Sequence, residues 1–197
     1  MKVDAVRIGL AVVALAASIT ALTSCVPVII GAGVATGVVV AADRRTSGTM
    51  LDDEVIEDRA SLEFQQRFKG DLFHVNVTSY NGIVLLTGEA PSDAGKADVE
   101  NIVRSNPKVR GVQDELVIGP VTDLGSRSND SLITSKVKAR FVEANKFQIN
   151  YVKVVTERGV VYLMGLVTRD EGNAAGELAS TTAGVQRVVK VFEYIVG

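Results

Sequence analysis

The chain contains few side chains that could perform nucleophilic, acid–base or metal chemistry. Cys25 is its single cysteine and His74 its single histidine. Neither a Ser-His-Asp nor a Cys-His arrangement is expected, and the usual transition-metal clusters, which need several nitrogen or sulfur ligands, are excluded. The carboxylates at residues 52–54 and 57–58 lack the spacing and the glycine of a calcium loop. They suit the first turn of a helix, where the helix dipole favours negative charge. We predict no catalytic residue, no metal and no cofactor, and interpret His74 as an ordinary residue at the start of a strand.

Composition separates the chain into an apolar beginning and a globular remainder. The 197 residues are 47% hydrophobic and carry a formal net charge of −2, which argues against a basic nucleic-acid-binding surface. Residues 8–42 contain almost no charge, whereas residues 43–197 have the composition of a folded protein. About 155 residues are enough for one medium domain or two small ones.

The residues before Cys25 have the three parts of a secretory signal. Lys2 and Arg7 provide positive charge, residues 8–22 are apolar, and Thr23 and Ser24 are small. The tetrad at residues 22–25, Leu-Thr-Ser-Cys, resembles the bacterial lipobox. That resemblance implies cleavage of a signal peptide over residues 1–24 and acylation of Cys25, including palmitate. Residue 26 is not aspartate, which by the same resemblance indicates the outer membrane. The alternative is an uncleaved anchor with a free cysteine.

A glycine-rich apolar stretch follows the cysteine. Gly31 and Gly33 begin a pattern similar to a dinucleotide-binding loop, but Gly37 arrives one residue late and no βαβ unit follows. A membrane span is also unfavourable, because 17 uncharged residues are fewer than the roughly 20 that a spanning helix needs, and glycines weaken helices. We interpret residues 25–51 as an acylated cysteine followed by an apolar tether.

The remainder of the chain contains two copies of one sequence unit. A shift of 77 residues places the segment at 74–88 over the segment at 151–165, with Gly82 over Gly159 and Gly88 over Gly165. Each copy predicts a helix capped by an aspartate (Asp53 or Asp130), a hairpin, a second helix and a last strand. The four glycines are predicted to be structural. Gly82 and Gly159 form the turns of the hairpins, and Gly88 and Gly165 lie at strand ends where the chain bends or passes a helix closely.

The order α-β-β-α-β predicts an α+β fold with two helices covering one face of a three-stranded mixed sheet. The last strands are expected over residues 112–118 and 188–195. The predicted domains are residues 52–118 and 129–197, and the composition of residues 119–128 indicates a linker.

The repeated pattern of a capped helix, V-x-V, x-G-x-V-x-L-x-G, an alanine-containing helix and a V-x-x-V strand resembles the BON domain. The resemblance covers both copies, roughly residues 50–197, and together with the lipobox it is similar to dual-BON-domain division and outer-membrane stress lipoproteins. It implies a protein anchored in the outer membrane with its domains in the periplasm. It also implies a role in envelope integrity and binding of anionic phospholipid through the second domain.

The first helices of the two copies differ in charge. Residues 52–69 contain six acidic and three basic residues, a net −3, whereas residues 130–148 contain two acidic and four basic residues, a net +2. In the second copy Ile133, Val137 and Phe141 form the predicted core face. The opposite face and its lysine flanks form the predicted phospholipid-binding site: Leu132, Ser135, Lys136, Lys138, Ala139 and Val142.

These observations predict a non-enzymatic outer-membrane lipoprotein that contacts anionic phospholipid of the phosphatidylglycerol or cardiolipin type. The alternative is a periplasmic adaptor that docks on an outer-membrane assembly or a cell-wall division machine through protein–protein contacts. In that alternative the second apolar stripe packs on the first domain or on a partner protein. No nucleic-acid partner is expected.

Overall fold

The computed structural model describes residues 43–68 and 72–196. The first domain is built from six elements: α1 (Ser47–Arg67), β1 (His74–Tyr80), β2 (Ile83–Ala90), α2 (Asp93–Arg104), β3 (Gly111–Asp114) and β4 (Val117–Ile118). The second contains α3 (Leu124–Ala144), a 3-10 turn (Ile149–Tyr151), β5 (Val152–Glu157), β6 (Val160–Val167), α4 (Arg169–Ser180) and β7 (Arg187–Tyr194). The predicted α+β class and the tandem arrangement are confirmed.

Each domain has a mixed sheet in which the second strand of the hairpin is central. Strand β1 pairs antiparallel with β2, and β3 and β4 both run parallel to β2. The second sheet has the order β5-β6-β7, with β5 antiparallel and β7 parallel to β6. The last strand of the first domain, predicted as continuous over residues 112–118, is interrupted. There the Asp114 side chain accepts a 2.8 Å hydrogen bond from the Leu116 N–H, and Leu116 enters the core.

The two hairpins turn at Asn81-Gly82 and Arg158-Gly159. All four residues have positive φ, with Gly82 at +72° and Gly159 at +73°, the geometry of tight turns that match the strand twist. Gly165 is required for a different reason: a Cβ placed there would lie 2.2 Å from the carbonyl oxygen of Tyr151 on the neighbouring strand. At Gly88 a Cβ would lie 2.0 Å from the His74 carbonyl oxygen.

The predicted helix caps at Asp53 and Asp130 are wrong. Both residues lie inside their helices and are buried, because the helices begin earlier, after the true caps Thr46 and Asp123. Helix α3 thereby includes the last five residues of the segment predicted as a linker. The carboxylate of Asp53 instead accepts hydrogen bonds from the N–H groups of Asn81 and Gly82.

Each sheet buries one face under its two helices. In the first domain Ile56 and Phe64 of α1 pack with Val99 and Val103 of α2 over Leu86. In the second, Ile133, Val137 and Phe141 of α3 pack on β5 and β6 together with Ala175 and Ala179 of α4. The core face predicted for the first helix of the second copy, Ile133, Val137 and Phe141, is therefore the face that the fold uses.

The opposite faces of the two sheets pack against each other. Tyr80 and Leu85 of the first sheet meet Tyr162 and Met164 of the second in a shared core. Burial raises the pKa of Tyr162 to about 12. The helices lie outside this pair of sheets. Glu57 of α1 reaches Lys153 of β5 at 2.7 Å, whereas the outer side of α3 stays uncovered.

Candidate functional site

Helix α3 presents a long outward face. Its axis is fixed by Ile133, Val137 and Phe141, each with no exposed surface, and by Arg140, whose guanidinium donates to the Leu178 carbonyl at the end of α4. Because successive residues rotate by about 100°, the side chains opposite this buried row must point away from the domain.

The six residues predicted for the phospholipid site all lie exposed on α3. Leu132 is 60% exposed and Val142 62% exposed. Ser135 and Ala139 lie between them on the same side, and Lys136 and Lys138 flank the row. We call this set, Leu132, Ser135, Lys136, Lys138, Ala139 and Val142, the α3 stripe. The alternative in which the first domain covers these residues is contradicted by the structure, because that domain packs through its sheet.

Leu124 extends the α3 stripe and was missed in the sequence. It is 76% exposed at the first position of the helix, two turns before Leu132. The composition of residues 119–128 predicts a linker, in which residue 124 has no helical phase. Its spacing of eight residues from Leu132 is the signal that identifies it, once the helix start at Asp123 is known.

Helix α1 of the first domain provides a natural comparison. It also exposes apolar side chains, with Leu62 at 57% and Val55 at 39%. Its exposed carboxylates Glu54 and Asp58 stand on the same side, and Asp58 corresponds to Ser135 under the 77-residue shift. The two helices thus share apolar exposure, and Arg59 of α1 corresponds to Lys136. They differ in the middle of the face, where α1 has the carboxylate of Asp58 and α3 has the uncharged Ser135.

His74 has surroundings that the sequence did not indicate. Its Nδ1 lies 3.1 Å from the Glu89 carboxylate, and Asn76 beside it donates a 2.9 Å hydrogen bond to Glu157 of the second domain. His74 begins β1, as predicted, but its side chain is not isolated. The fold brings together two glutamates that are distant from it in sequence, and no local spacing could have shown this.

The other end of the domain interface contains two arginines. Arg44 donates to Glu171 at 2.6 and 2.9 Å and stacks 3.8 Å from the centre of the Tyr151 ring. Arg45 contacts Asp53 at 2.9 Å and stacks 3.9 Å from the centre of the Tyr80 ring. Arg44 therefore contacts the second domain, and the adjacent Arg45 contacts the first.

The sequence profile of the BON domain matches the chain twice, over residues 52–120 and 129–195. The chain belongs to the BON-domain family. Outer membrane lipoprotein DolP of Haemophilus influenzae is 37% identical to it over 176 residues, which is 88% of this chain and 90% of that protein. The 21 kDa hemolysin of Actinobacillus pleuropneumoniae is 34% identical over 155 residues, 78% of this chain and 79% of the relative. Osmotically-inducible protein Y of Escherichia coli is 24% identical over 144 residues, 72% of each chain.

The predicted membership of the dual BON-domain outer-membrane lipoproteins is therefore confirmed. The α3 stripe lies on the first helix of the second BON domain. The predicted signal peptide, Cys25 and residues 26–42 of the tether lie outside the described residues. Among the helices of residues 43–68 and 72–196, none is both long and apolar enough to cross a bilayer.

Proposed function

We propose that this BON-domain protein is anchored by an acylated Cys25 to the outer membrane, with its domains in the periplasm. There its second domain binds anionic phospholipid and supports envelope integrity without catalysing a reaction. The α3 stripe carries the proposal, because it combines exposed Leu132 and Val142 with exposed Lys136 and Lys138. Such a helix suits an interface of lipid headgroups and acyl chains.

The geometry supports a helix that lies along the bilayer surface. Leu124, Leu132 and Val142 would enter the headgroup region, and Lys136 and Lys138 would meet lipid phosphates on either side. Each lysine contributes about 1 kcal/mol near an anionic surface, and salt screens this contribution. The resemblance of the chain to outer-membrane lipoproteins, DolP of H. influenzae among them, supports the location.

Acylation and helix contact would act together. Two acyl chains suffice for stable anchoring, so the α3 stripe is not needed to keep the protein on a membrane. Its weaker attraction would select anionic regions of a bilayer on which the protein already resides, because tethering raises the effective concentration of the helix at the surface.

Vesicle flotation of residues 40–197, which form a compact unit without the cysteine, tests the lipid contact. We expect recovery with phosphatidylglycerol vesicles that falls with added salt, and little recovery with zwitterionic vesicles. Leu132→Glu should abolish binding. Leu62→Glu is the matched control, because Leu62 on α1 has nearly the same exposure, 57% against 60%.

Equal recovery of the wild type and Leu132→Glu would contradict the lipid assignment. Indifference to lipid, combined with a protein that co-purifies with the wild type and not with Leu132→Glu, would favour the adaptor alternative. Acylation is tested separately by mass spectrometry of the membrane-extracted protein, in which Cys25→Ser should remove the lipid mass.

A further inference from the structure

Three side chains that can bind metal converge at one end of the domain interface. His74 and Glu89 are direct partners across β1 and β2, and Glu157 ends β5 of the second domain. One possible ligand atom from each residue lies within 4.8 Å of the others. We call these three residues the interface triad.

The interface triad buries more negative charge than its surroundings neutralise. Glu89 has no exposed surface and Glu157 is 6% exposed. The nearest guanidinium, that of Arg158, reaches Glu89 at 3.4 Å. Within the described residues, Glu157 accepts from Asn76 through one oxygen, and no lysine, arginine or histidine nitrogen lies within 4.0 Å of it. Two buried carboxylates from different domains therefore face each other with incomplete compensation, which is costly in a low-dielectric site.

The opposite end of the interface shows how the same fold compensates charge. Under the 77-residue shift, Tyr80 corresponds to Glu157 and Tyr151 to His74. At that end the guanidinium groups of Arg45 and Arg44 cover the two tyrosine rings. The residues that correspond to these arginines are Val121 and Thr122, which bring no positive charge. The cations at this end are Arg158, 3.4 Å from Glu89, and Arg127, which lines the groove beside His74 and Glu157.

We propose that His74, Glu89 and Glu157 bind a divalent transition-metal ion of the Zn²⁺ type, which links the two BON domains. One imidazole nitrogen and two carboxylate oxygens are donors that Zn²⁺ accepts, with solvent completing the coordination. The imidazole disfavours Mg²⁺ and Ca²⁺, which prefer oxygen ligands. The single histidine of the chain is sufficient, because a three-ligand site of this kind needs only one nitrogen donor.

Two residues of the interface triad, His74 and Glu157, line an open groove of about 230 Å³ together with Asn76, Arg127 and Asp130. A metal ion held by ligands from both domains would resist separation of the two sheets.

The test uses the untagged full chain in detergent, stripped with EDTA and titrated with Zn²⁺. We expect the melting temperature to rise by roughly 5–10 °C at a Zn²⁺ concentration a hundred times the Kd. Mg²⁺ should give a much smaller shift. Glu157→Gln should fold and lose the Zn²⁺ response, whereas Glu193→Gln, which alters an interdomain ion pair with Arg110 outside the triad, should keep it.

A second measurement does not depend on any variant. Because His74 is the only histidine, its imidazole gives a single set of NMR signals, and these should move on addition of Zn²⁺. Unmoved histidine signals, or a Zn²⁺-induced melting shift that is the same in Glu157→Gln, would overturn the proposal. Neither measurement involves lipid, so its outcome is independent of the function proposed for α3.

Discussion

The carboxylate of Asp130 accepts a 2.8 Å hydrogen bond from the backbone N–H of Gly159. The same carboxylate accepts a second bond of 2.8 Å from the N–H of Arg158. A buried residue in the middle of α3 thereby holds the hairpin turn between β5 and β6, and fixes the helix on the sheet that it covers. Asp53 does the same for the turn at Gly82 in the first domain.

Removal of the Asp130 carboxylate should destabilise the second domain. Asp130→Ala leaves two turn N–H groups without their acceptor, and hydrogen bonds to charged groups contribute about 1.5–3 kcal/mol each. We expect a loss of about 2–4 kcal/mol in the free energy of unfolding, measured by urea denaturation. Asp98→Ala, an exposed aspartate of α2, should change it by less than about 0.5 kcal/mol. Equal effects of the two substitutions would contradict the role given to Asp130.

The sequence patterns predict the helices and strands but not the hydrogen bonds between the Asp130 carboxylate and the β5–β6 turn. An aspartate ahead of an apolar helical pattern is typical of an N-cap, and Asp53 and Asp130 have that position. The misassignment arose because the turns of α1 and α3 before them are polar and have little amphipathic signal. Only the structure shows that Thr46 and Asp123 are the caps.

The packing of one sheet on the other has a signal in the sequence of β6. Strand β6 reads Val-Val-Tyr-Leu-Met without a polar residue, and continuous apolar strands indicate burial on both faces. Val161 and Leu163 lie under the helices, whereas Tyr162 and Met164 lie in the interface. The interface triad, in contrast, had no such signal, because its ligands come from β1, β2 and β5.

The close approach at Gly165 predicts a strong effect of a small side chain. In Gly165→Ala the new Cβ would lie 2.2 Å from the Tyr151 carbonyl oxygen, so that the β5–β6 pair must shift. Overpacking of this kind costs about 1–3 kcal/mol, and Gly165→Glu should cost more. Gly119→Ala is the control, because nothing lies within 4 Å of a Cβ at that position. Thermal melting of the three variants measures the effect, and an unchanged melting temperature in Gly165→Glu would refute the expectation.

The ion pair between Arg44 and Glu171 predicts a pH dependence. The hydrogen bond from Arg44 holds the pKa of the Glu171 carboxyl below its ordinary value. The folded state therefore binds this proton less readily than the unfolded chain, and the pair stabilises the fold at neutral pH. That contribution is lost as the pH falls through the folded-state pKa.

Arg44→Ala should accordingly lower the melting temperature at pH 7 and have a diminishing effect in acid. For a partly exposed pair worth about 1 kcal/mol, the decrease is roughly 2–4 °C. The difference from the wild type should narrow as the pH falls below the ordinary glutamate pKa of about 4.3 and through the lowered folded-state pKa of Glu171. A difference that stays constant between neutral and acidic pH would show that Arg44 acts through its stacking on Tyr151 and its bond to the Leu166 carbonyl, and not through the carboxylate.

The lysines of the α3 stripe predict a graded loss of vesicle binding. Lys138→Gln removes one charge from the exposed side of α3 and should weaken binding of residues 40–197 to phosphatidylglycerol vesicles about fivefold, since each lysine contributes about 1 kcal/mol. The slope of affinity against salt concentration should decrease as well, because fewer counterions are exchanged. Arg59→Gln, which removes an exposed charge from α1 of the first domain, is the control and should leave the affinity unchanged. An equal loss for Arg59→Gln would mean that the net charge of the whole protein, and not the face of α3, attracts it to the bilayer.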